Sequence, residues 1–310
     1  MKQSTTDGSS PPNTDDAPPI CDYEGSSYRT DFWEGQGRDY EDLAERHALR
    51  KLLPDAGSRL LDIGAGFGRL ADLYDGYGHV ILLDYSVSQL QYARQHLGDS
   101  RFTYVAADLY QLPLANNAVD TTVMVRVLHH ITDVARALFQ IQRATRGSGT
   151  FVLEFANKRH ALNIARRILG SDVDPFDHQP YAFAELHYDY HPAWVREQLQ
   201  EAGFQPQRER AVSSFRIPAL KRLIPARLLA RMDAALQALT APLAIAPSQF
   251  VRSRVAKSCA SLAQHILACP RCGQSPLDES GSQVSCPACH AHWAIDQGVY
   301  VFKRELEGSS

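Results

Sequence analysis

The chain has 310 residues, of which 44% are hydrophobic and 22% are charged, and its mean hydropathy is −0.30. This balance is typical of a folded globular protein with room for one large and one small domain, and it excludes a wholly disordered chain. No apolar run approaches the roughly 20 residues of a membrane-spanning helix, and no secretory signal precedes the fold, so we expect a cytoplasmic protein. The net charge of −3 conceals a basic block at 205–260, with ten basic and two acidic side chains, which suits a solvated face, an anionic substrate, a membrane surface or RNA.

The first half of the chain alternates predicted helices with apolar strands. Residues 1–20 are rich in Ser, Pro, Thr and Asp and predict a disordered tail, after which apolar spacing predicts an amphipathic helix over 39–53. The alternation predicts βαβ units and a parallel sheet covered on both faces. Strands are predicted in RLLDIGAG and at 79–85, 101–108, 119–128 and 149–155, with helices near 88–96 and 134–144.

The second half breaks this alternation. Residues 157–192 form a polar, aromatic insertion before a predicted helix at 193–201. Strands are predicted at 208–215 and 249–257, and because the crossover pattern is lost, they fit an antiparallel pair. A basic helical stretch at 216–246 separates them, and a separate small module follows at 263–310.

A glycine turn comes at the end of the first strand. Gly64, Gly66 and Gly68 come directly after Asp62 and Ile63, and glycines allow the backbone to approach a ligand closely. The dinucleotide fingerprint GxGxxG would need its third glycine at position 69, where Arg69 stands. The turn therefore predicts a ligand site at the sheet edge, but it disfavours a nicotinamide oxidoreductase.

Two further carboxylates end the next two strands. Asp84 follows Asp62 by 22 residues, where an acid can accept hydrogen bonds from both ribose hydroxyls. Asp108 ends the third strand, where it can accept from an exocyclic amine. Each acid alone is equally well explained as a helix N-cap or a turn residue. All three at the carboxyl ends of consecutive strands indicate a binding site.

The segments LLDIGAGFGRL, LLDYS, AADLYQLPL and AVDTTVMVRVLHHI occur in an order that resembles the class I S-adenosylmethionine-dependent methyltransferases, in the group similar to ubiquinone/menaquinone C-methyltransferases. The resemblance covers about residues 39–155. It implies an α/β fold with a doubly wound, seven-stranded, mostly parallel, Rossmann-like sheet, and a methyltransferase domain over 21–262. It also implies that S-adenosylmethionine is bound by Asp62, Gly64, Ala65, Gly66, Gly68, Asp84, Tyr85, Ala107, Asp108, Leu109 and Arg126.

The residue that acts on the acceptor is less clear from the sequence, because a sulfonium methyl is already activated and a base is needed only for a protonated acceptor atom. Four side chains are candidates: His129, His130, His187 and Tyr190. A histidine has an unperturbed pKa near 6.5 and can serve as a base, although a structural role for the His129–His130 pair is the stronger interpretation. The insertion suits either a lid over the acceptor or a surface subdomain.

The basic helical stretch carries a broad apolar stripe from Leu220 to Leu239. Such a stripe is typical of a helix that packs in the core, and this is our preferred interpretation. The alternative is peripheral contact with an anionic membrane or a site for a lipid acceptor.

Four cysteines near the C-terminus occur as two CxxC pairs, Cys269 with Cys272 and Cys286 with Cys289. This spacing predicts a tetrahedral structural Zn²⁺ site, and disulfide or redox pairs are the weaker alternatives. A module this short needs such a staple to fold. It resembles the small zinc-ribbon proteins that activate tRNA and protein methyltransferases as partner subunits, which implies that a similar ribbon is fused to this chain.

The sequence thus predicts a methyltransferase with a C-terminal zinc ribbon and a small-molecule or lipid-like acceptor. RNA or protein methylation is the weaker alternative, supported by the ribbon and the basic block but opposed by the acidic balance of the whole chain. The other alternative is a non-catalytic subunit that binds the cofactor and regulates a partner.

Overall fold

The computed structural model describes residues 18–25, 30, 33 and 36–306. Its centre is one mixed sheet of eleven strands, and two further strands form a separate hairpin. The strands are β1 (Gly57–Ile63), β2 (Tyr77–Asp84), β3 (Phe102–Ala106), β4 (Val119–Met124), β5 (Thr145–Ala156), β6 (Tyr181–Ala184), β7 (His187–Asp189), β8 (Phe204–Val212), β9 (Ser248–Val255), β10 (Asp278–Ser280), β11 (Gln283–Ser285), β12 (His292–Asp296) and β13 (Val299–Val301).

Seven of these strands form the predicted sheet, in the order β3-β2-β1-β4-β5-β9-β8. Strands β1 to β5 are parallel, whereas β9 is antiparallel to both β5 and β8. The doubly wound sheet and its final antiparallel pair are therefore confirmed. Because the strand order runs outward from β1 in one direction and from β4 in the other, the carboxyl ends of β1 and β4 meet at the topological switch point, where open α/β sheets bind ligands.

Helices cover both faces of this sheet, and none in the described part of the chain is long and apolar enough to cross a bilayer. The helix α3 shows why they form: Asp133 caps its first turn by accepting from the N–H of Arg136, and Leu138 and Ile141 are buried on one face. The helices are α1 (Asp39–Leu52), α2 (Val87–Leu97), α3 (Val134–Ala144), α4 (Ala161–Ile168), α5 (Pro192–Glu201), α6 (Pro218–Leu223) and α7 (Ala226–Thr240).

The parallel strands differ from the antiparallel ones in burial. All six residues of β4 are buried, and so are the last four of β1, because helices cover both faces there. The predicted strand at 119–128 is shorter in the structure, since β4 ends at Met124. The residues beyond it turn away from the sheet and form a short 3-10 helix at Leu128–His130.

The insertion contains α4 and the hairpin formed by β6 and β7. The basic helical stretch contains α6 and α7, which are separated at Pro225 because proline cannot donate the backbone hydrogen bond of a continuous helix. Helix α7 packs on α1 through Leu229, Ala230 and two buried polar residues. In our preferred interpretation of the sequence, the apolar stripe from Leu220 to Leu239 packs in the core. This interpretation is wrong for five side chains, which are exposed: Leu223, Leu228, Met232, Leu236 and Leu239.

The C-terminal strands continue the central sheet. Strands β10 to β13 form an antiparallel meander, and β13 then pairs in parallel with β3, with Val301 opposite Ala106. The backbone N–H of Phe302 donates to the carbonyl of Ala106 at 2.7 Å. The small module and the large sheet thus share one ladder of hydrogen bonds.

The predicted disordered tail lies almost entirely outside the described residues, because the structure describes none of residues 1–17. Residues 18–25 lie over the carboxyl edge of the sheet. We call this stretch the N-terminal strap.

Candidate functional site

A cavity of about 120 Å³ lies at the carboxyl ends of β1, β2, β3 and β4, under the N-terminal strap. Eight of the predicted cofactor residues line it. They are Gly64, Gly66, Asp84, Tyr85, Ala107, Asp108, Leu109 and Arg126. A smaller neighbouring cavity is lined by Asp62 and Ala65 together with Gly64, Gly66 and Arg126. The predicted residues therefore converge on one edge of the sheet, with the exception of Gly68.

The glycine turn forms the floor of both cavities. Gly64 has a φ of +70°, and a Cβ at this position would lie 2.0 Å from Cγ2 of Val127. Gly66 also has a positive φ, and its N–H donates to the Asp84 carboxylate at 2.8 Å. Gly68 faces away from the cavities, against Leu97 of α2. Only glycine fits at Gly64, so the turn brings bare backbone to the cavity.

Two carboxylates stand on the cavity wall at the predicted places. Asp84 accepts hydrogen bonds from the N–H groups of Gly66 and Ser86, and Asp108 accepts from the N–H of Tyr110. Burial raises the pKa of Asp84 above its ordinary value, and the backbone hydrogen bonds oppose this. Burial also raises the pKa of Asp108. In both acids, backbone N–H groups replace hydrogen bonds to water that the carboxylate loses on burial. Carboxylates held in this way suit a site for hydroxyl or amino groups.

Asp62 has a different environment from the other two acids. Its side chain is buried, and the Tyr74 hydroxyl donates to it at 2.9 Å. Burial raises the pKa of Asp62 to about 7, and the charge of Asp84 adds to this rise. Asp62 therefore lies at the smaller cavity as a buried carboxyl held by the Tyr74 hydroxyl.

Arg126 belongs to a buried cluster of charges that the sequence did not indicate. The Glu45 carboxylate, which has no exposed side-chain surface, forms ion pairs with both Arg126 and Arg69. Burial alone would raise the pKa of Glu45, but the two guanidinium groups outweigh it and hold the pKa below its ordinary value. The Arg69 guanidinium also lies 3.9 Å from the ring centre of Trp33. The Arg126 side chain is consequently fixed at the boundary between the two cavities.

His130 is the histidine that lines the main cavity. Its Nδ1 lies 2.9 Å from the carbonyl oxygen of Leu186, and a carbonyl can only accept, so Nδ1 carries the proton. Burial lowers the pKa of His130, which keeps the ring neutral. Its Nε2 therefore accepts from the Tyr23 hydroxyl of the N-terminal strap, at 3.1 Å.

The other three candidate side chains surround His130 without lining the cavity. The rings of His129 and His187 lie 3.9 Å and 4.7 Å from the His130 ring, measured between centres. Burial, followed by the neighbouring charges, lowers the pKa of His129 to about 2. The Tyr190 hydroxyl donates to the carbonyl oxygens of Leu128 and Ile131, so Tyr190 holds the ends of the histidine turn.

The N-terminal strap is the part of the site that sequence reasoning missed. Ile20, Cys21 and Tyr23 line the cavity, and the Glu24 carboxylate accepts from the N–H groups of Val87 and Ser88. A carboxylate is favourable at this position because the first N–H groups of α2 have no partner within the helix. An apolar Ile20 directly after a Pro-rich tail is the only local signal for this contact.

The four predicted metal ligands lie together in the C-terminal module. Their Sγ atoms are all within 4.8 Å of one another, and all four are free thiols. Both CxxC turns have the same backbone bonding: Cys269 N–H donates to Gln274 and Cys286 N–H donates to Ala291. In each turn the fourth residue after the first cysteine has a positive φ, Gly273 in one and His290 in the other. Two equivalent turns that aim four thiols at one point match the donor set of a structural zinc site.

The comparisons with known proteins agree with this geometry. A family described as "Methyltransferase domain" matches residues 61–153. The demethylmenaquinone methyltransferase of Chlamydia pneumoniae is 32% identical over 127 residues, which are 39% of this chain and 55% of that protein. The ubiquinone/menaquinone biosynthesis C-methyltransferase UbiE of Shewanella frigidimarina is 31% identical over 127 residues, 38% of this chain and 51% of that protein. The chain thus spans about half the length of these relatives.

Solved structures show the same fold. An S-adenosylmethionine-dependent methyltransferase from Mesorhizobium loti has a TM-score of 0.52 and 25% identity, over 68% of this chain and 97% of that chain. A chain from the complex between the Haloferax volcanii Trm112 methyltransferase activator and a putative methyltransferase also has a TM-score of 0.52, with 19% identity over 74% of this chain and 96% of that chain. With the sheet order, these matches show that the chain contains a methyltransferase domain at residues 61–153, within the fold of class I S-adenosylmethionine-dependent methyltransferases.

Proposed function

We propose that this protein transfers the methyl group of S-adenosylmethionine to a small-molecule or lipid-like acceptor. One observation carries the proposal: Gly64, Gly66, Asp84 and Asp108 line a single cavity at the switch point of the sheet. The relatives named for quinone methylation support an acceptor of that general kind.

The residues of the cavity suit different parts of the cofactor. In this proposal Asp84 would accept from the ribose hydroxyls, and Asp108 with Leu109 would bind the adenine. Gly64 and Gly66 present bare backbone to the amino-acid part, close to Arg126. The bound cofactor supplies a methyl group on a sulfonium, so the protein's own task is to position the acceptor and exclude water.

His130 is the side chain best placed to take a proton from an acceptor. Its ring is neutral, Nδ1 is committed to Leu186, and Nε2 already accepts from a phenolic hydroxyl, that of Tyr23. An acceptor hydroxyl at the place of the Tyr23 hydroxyl would meet the same nitrogen. Burial lowers the pKa of His130 and the neighbouring His187 adds to this, while Tyr190 fixes the turn that carries His130.

We further propose that the four thiols hold one structural Zn²⁺ and that residues 263–310 form a zinc ribbon, distinct from a methyltransferase domain over 21–262. Four cysteines close a tetrahedral site, so the metal would have no open position for catalysis. The Haloferax complex pairs a methyltransferase with a separate activator chain. In this protein the ribbon lies in the same chain and pairs with β3, so an activating role would act in cis.

Calorimetry with S-adenosylmethionine and S-adenosylhomocysteine tests the cofactor site. We expect both to bind the wild-type protein, and we expect Asp84→Asn to weaken binding by about 1.5–3 kcal/mol, because a charge-assisted hydrogen-bond pair is lost. Asp99→Asn, a change at a surface acid paired with Arg94, is the matched control and should bind normally. Absence of binding by the wild-type protein would overturn the proposal.

The acceptor class is tested with labelled cofactor and fractionated extract. We expect label in the lipid or small-molecule fraction. Label in RNA or protein would favour the weaker enzymatic alternative, and cofactor binding without transfer to any fraction would favour a regulatory subunit.

A further inference from the structure

The large apolar side chains that are exposed in the described part of the chain are concentrated in one stretch of the sequence. Apart from Phe139, they all lie between Leu162 and Ile245. The most exposed are Leu169, Ile168, Leu223 and Leu239, with 74–86% of their surface accessible. Clustered exposed apolar side chains mark an interaction site more often than isolated ones do.

Three segments contribute to this face: residues 161–169 with α4, residues 216–224 with α6, and residues 226–245 with α7. The third segment meets the start of α4, where the Ala161 N–H donates to the Ile245 carbonyl and the Asn157 amide donates to the carbonyls of Ala244 and Ala246. The second segment leads into the third through Ile224 and Pro225. We call the exposed surface of these three segments the basic apolar face.

Helix α7 shows how this face is organised. Leu228, Met232, Leu236 and Leu239 follow one another at intervals of four, four and three residues, so they form one stripe along the helix. This stripe is separate from the side that packs on α1, which buries Leu229 and Ala230. The apolar stripe is therefore an addition to the packed side rather than a part of it.

Arginines accompany the exposed apolar side chains. Arg227 and Arg231 flank the stripe of α7, and Arg222 lies on α6 beside Leu223. Among the described residues, no carboxylate is within ion-pair distance of these three guanidinium groups. Helix α4 adds Arg166 and Arg167, which are also exposed.

Acidic groups are nearly absent from the same segments. The only acid within 161–169 and 216–245 is Asp233, which is fully buried and bonded to Tyr40 and Gln237. From α1, Glu41 pairs with Lys221 and lies near Arg216. The acids Asp172, Asp174 and Asp177 lie on the loop after α4, and Asp177 is 3.7 Å from Lys158.

We propose that the basic apolar face docks on a bilayer that contains anionic phospholipid. Apolar side chains flanked by arginines match a surface of acyl chains beneath negative headgroups. A second copy of the chain would bring the same arginines against each other, and RNA would leave the apolar stripe in water. An anionic membrane can contact both the arginines and the apolar stripe. The inference goes beyond the methyl transfer, because docking needs neither cofactor nor acceptor.

Sedimentation with lipid vesicles tests the proposal on the full-length protein. We expect binding to vesicles of phosphatidylcholine with phosphatidylglycerol, weaker binding to phosphatidylcholine alone, and weaker binding as salt is raised. Arg227→Glu with Arg231→Glu should weaken binding at least about tenfold. The control is Arg146→Glu, which changes an exposed arginine at the start of β5, outside the three segments of the basic apolar face. This variant should bind vesicles as the wild type does.

A second pair of variants tests the apolar part. Leu223→Asp with Leu239→Asp should also lose most binding, whereas Phe139→Asp, an exposed apolar residue on α3, should not. Because these three positions are exposed, we expect every variant to fold, and thermal unfolding checks this. Equal binding to neutral and anionic vesicles, or no binding at all, would overturn the proposal. So would an effect of these variants on self-association or RNA binding but not on vesicles.

Discussion

At the scale of single residues, the three strand-end acids differ in what surrounds them. Asp84 and Asp108 accept from backbone N–H groups, whereas Asp62 is buried and, among the described residues, its side chain accepts only from the Tyr74 hydroxyl. Burial therefore dominates at Asp62 and raises its pKa to about 7. This carboxyl stays protonated in the folded protein at pH values at which the unfolded chain has lost the proton.

The raised pKa of Asp62 predicts a specific dependence of stability on pH. Between about pH 4 and pH 7 the folded state binds a proton that the unfolded state has released, so the free energy of unfolding falls as pH rises. We expect the wild-type protein to lose up to about 4 kcal/mol over this range relative to Asp62→Asn, which has no proton to bind there. Urea unfolding of both proteins at several pH values, without cofactor, measures the difference. A constant difference across this range would contradict the assignment.

At the scale of elements, the C-terminal module contacts residues next to the main cavity without lining it. Strand β13 pairs with β3, whose last residues lead directly to Asp108. Beyond β13, the Lys303 ammonium lies 3.9 Å from the ring centre of Tyr85 and 3.4 Å from the carboxylate of Asp22 in the N-terminal strap. The segment that zinc would order therefore touches both a cavity residue and the strap over the cavity.

We predict that loss of the metal weakens cofactor binding as well as the fold of the ribbon. Cys286→Ser should lower the zinc content from one ion per chain and weaken binding of S-adenosylhomocysteine severalfold, because β13 and Lys303 lose their positions. Cys259→Ser, at an exposed cysteine outside the cluster, is the control. Metal analysis and calorimetry on the same samples measure both effects. A metal-free protein that binds the product with full affinity would show that the ribbon is independent of the site.

At the scale of the whole molecule, the edges of the eleven-stranded sheet are protected. One edge is β10, which has three residues and includes Asp278 and Glu279; the other is β8, which carries Pro206 and alternating charges. Short, charged or proline-containing edge strands resist pairing with another chain. Strand β3, with buried Phe102 and Tyr104, has no such protection and depends on β13.

Ending the chain at residue 262 should therefore make the protein self-associate. Light scattering and size-exclusion chromatography should show oligomers of the truncated chain, and Thr103→Lys within the truncated chain should reduce them, because a lysine on an edge strand opposes pairing. The intact chain with the same substitution is the control. A truncated chain that stays monomeric and stable would contradict the role assigned to β13.

Much of this molecule could be predicted because its signals are local. The glycine turn, the acids after successive apolar strands and the two CxxC pairs each lie within a few residues, and together they indicate the sheet and both sites. The N-terminal strap, the pairing of β13 with β3 and the ion cluster of Glu45 with Arg126 join residues far apart in sequence. Apolar periodicity also could not identify the packed side of α7, since the exposed stripe is wholly apolar whereas the packed side includes the polar Asp233 and Gln237.

The shared ladder of β13 and β3 has a consequence for the cell's metal supply. If zinc tightens cofactor binding as predicted above, the cofactor tightens zinc binding by the same factor, because thermodynamic coupling between two sites is reciprocal. A high concentration of S-adenosylmethionine would thus help the protein to retain zinc. Depletion of S-adenosylmethionine would weaken zinc binding, and depletion of zinc would weaken cofactor binding.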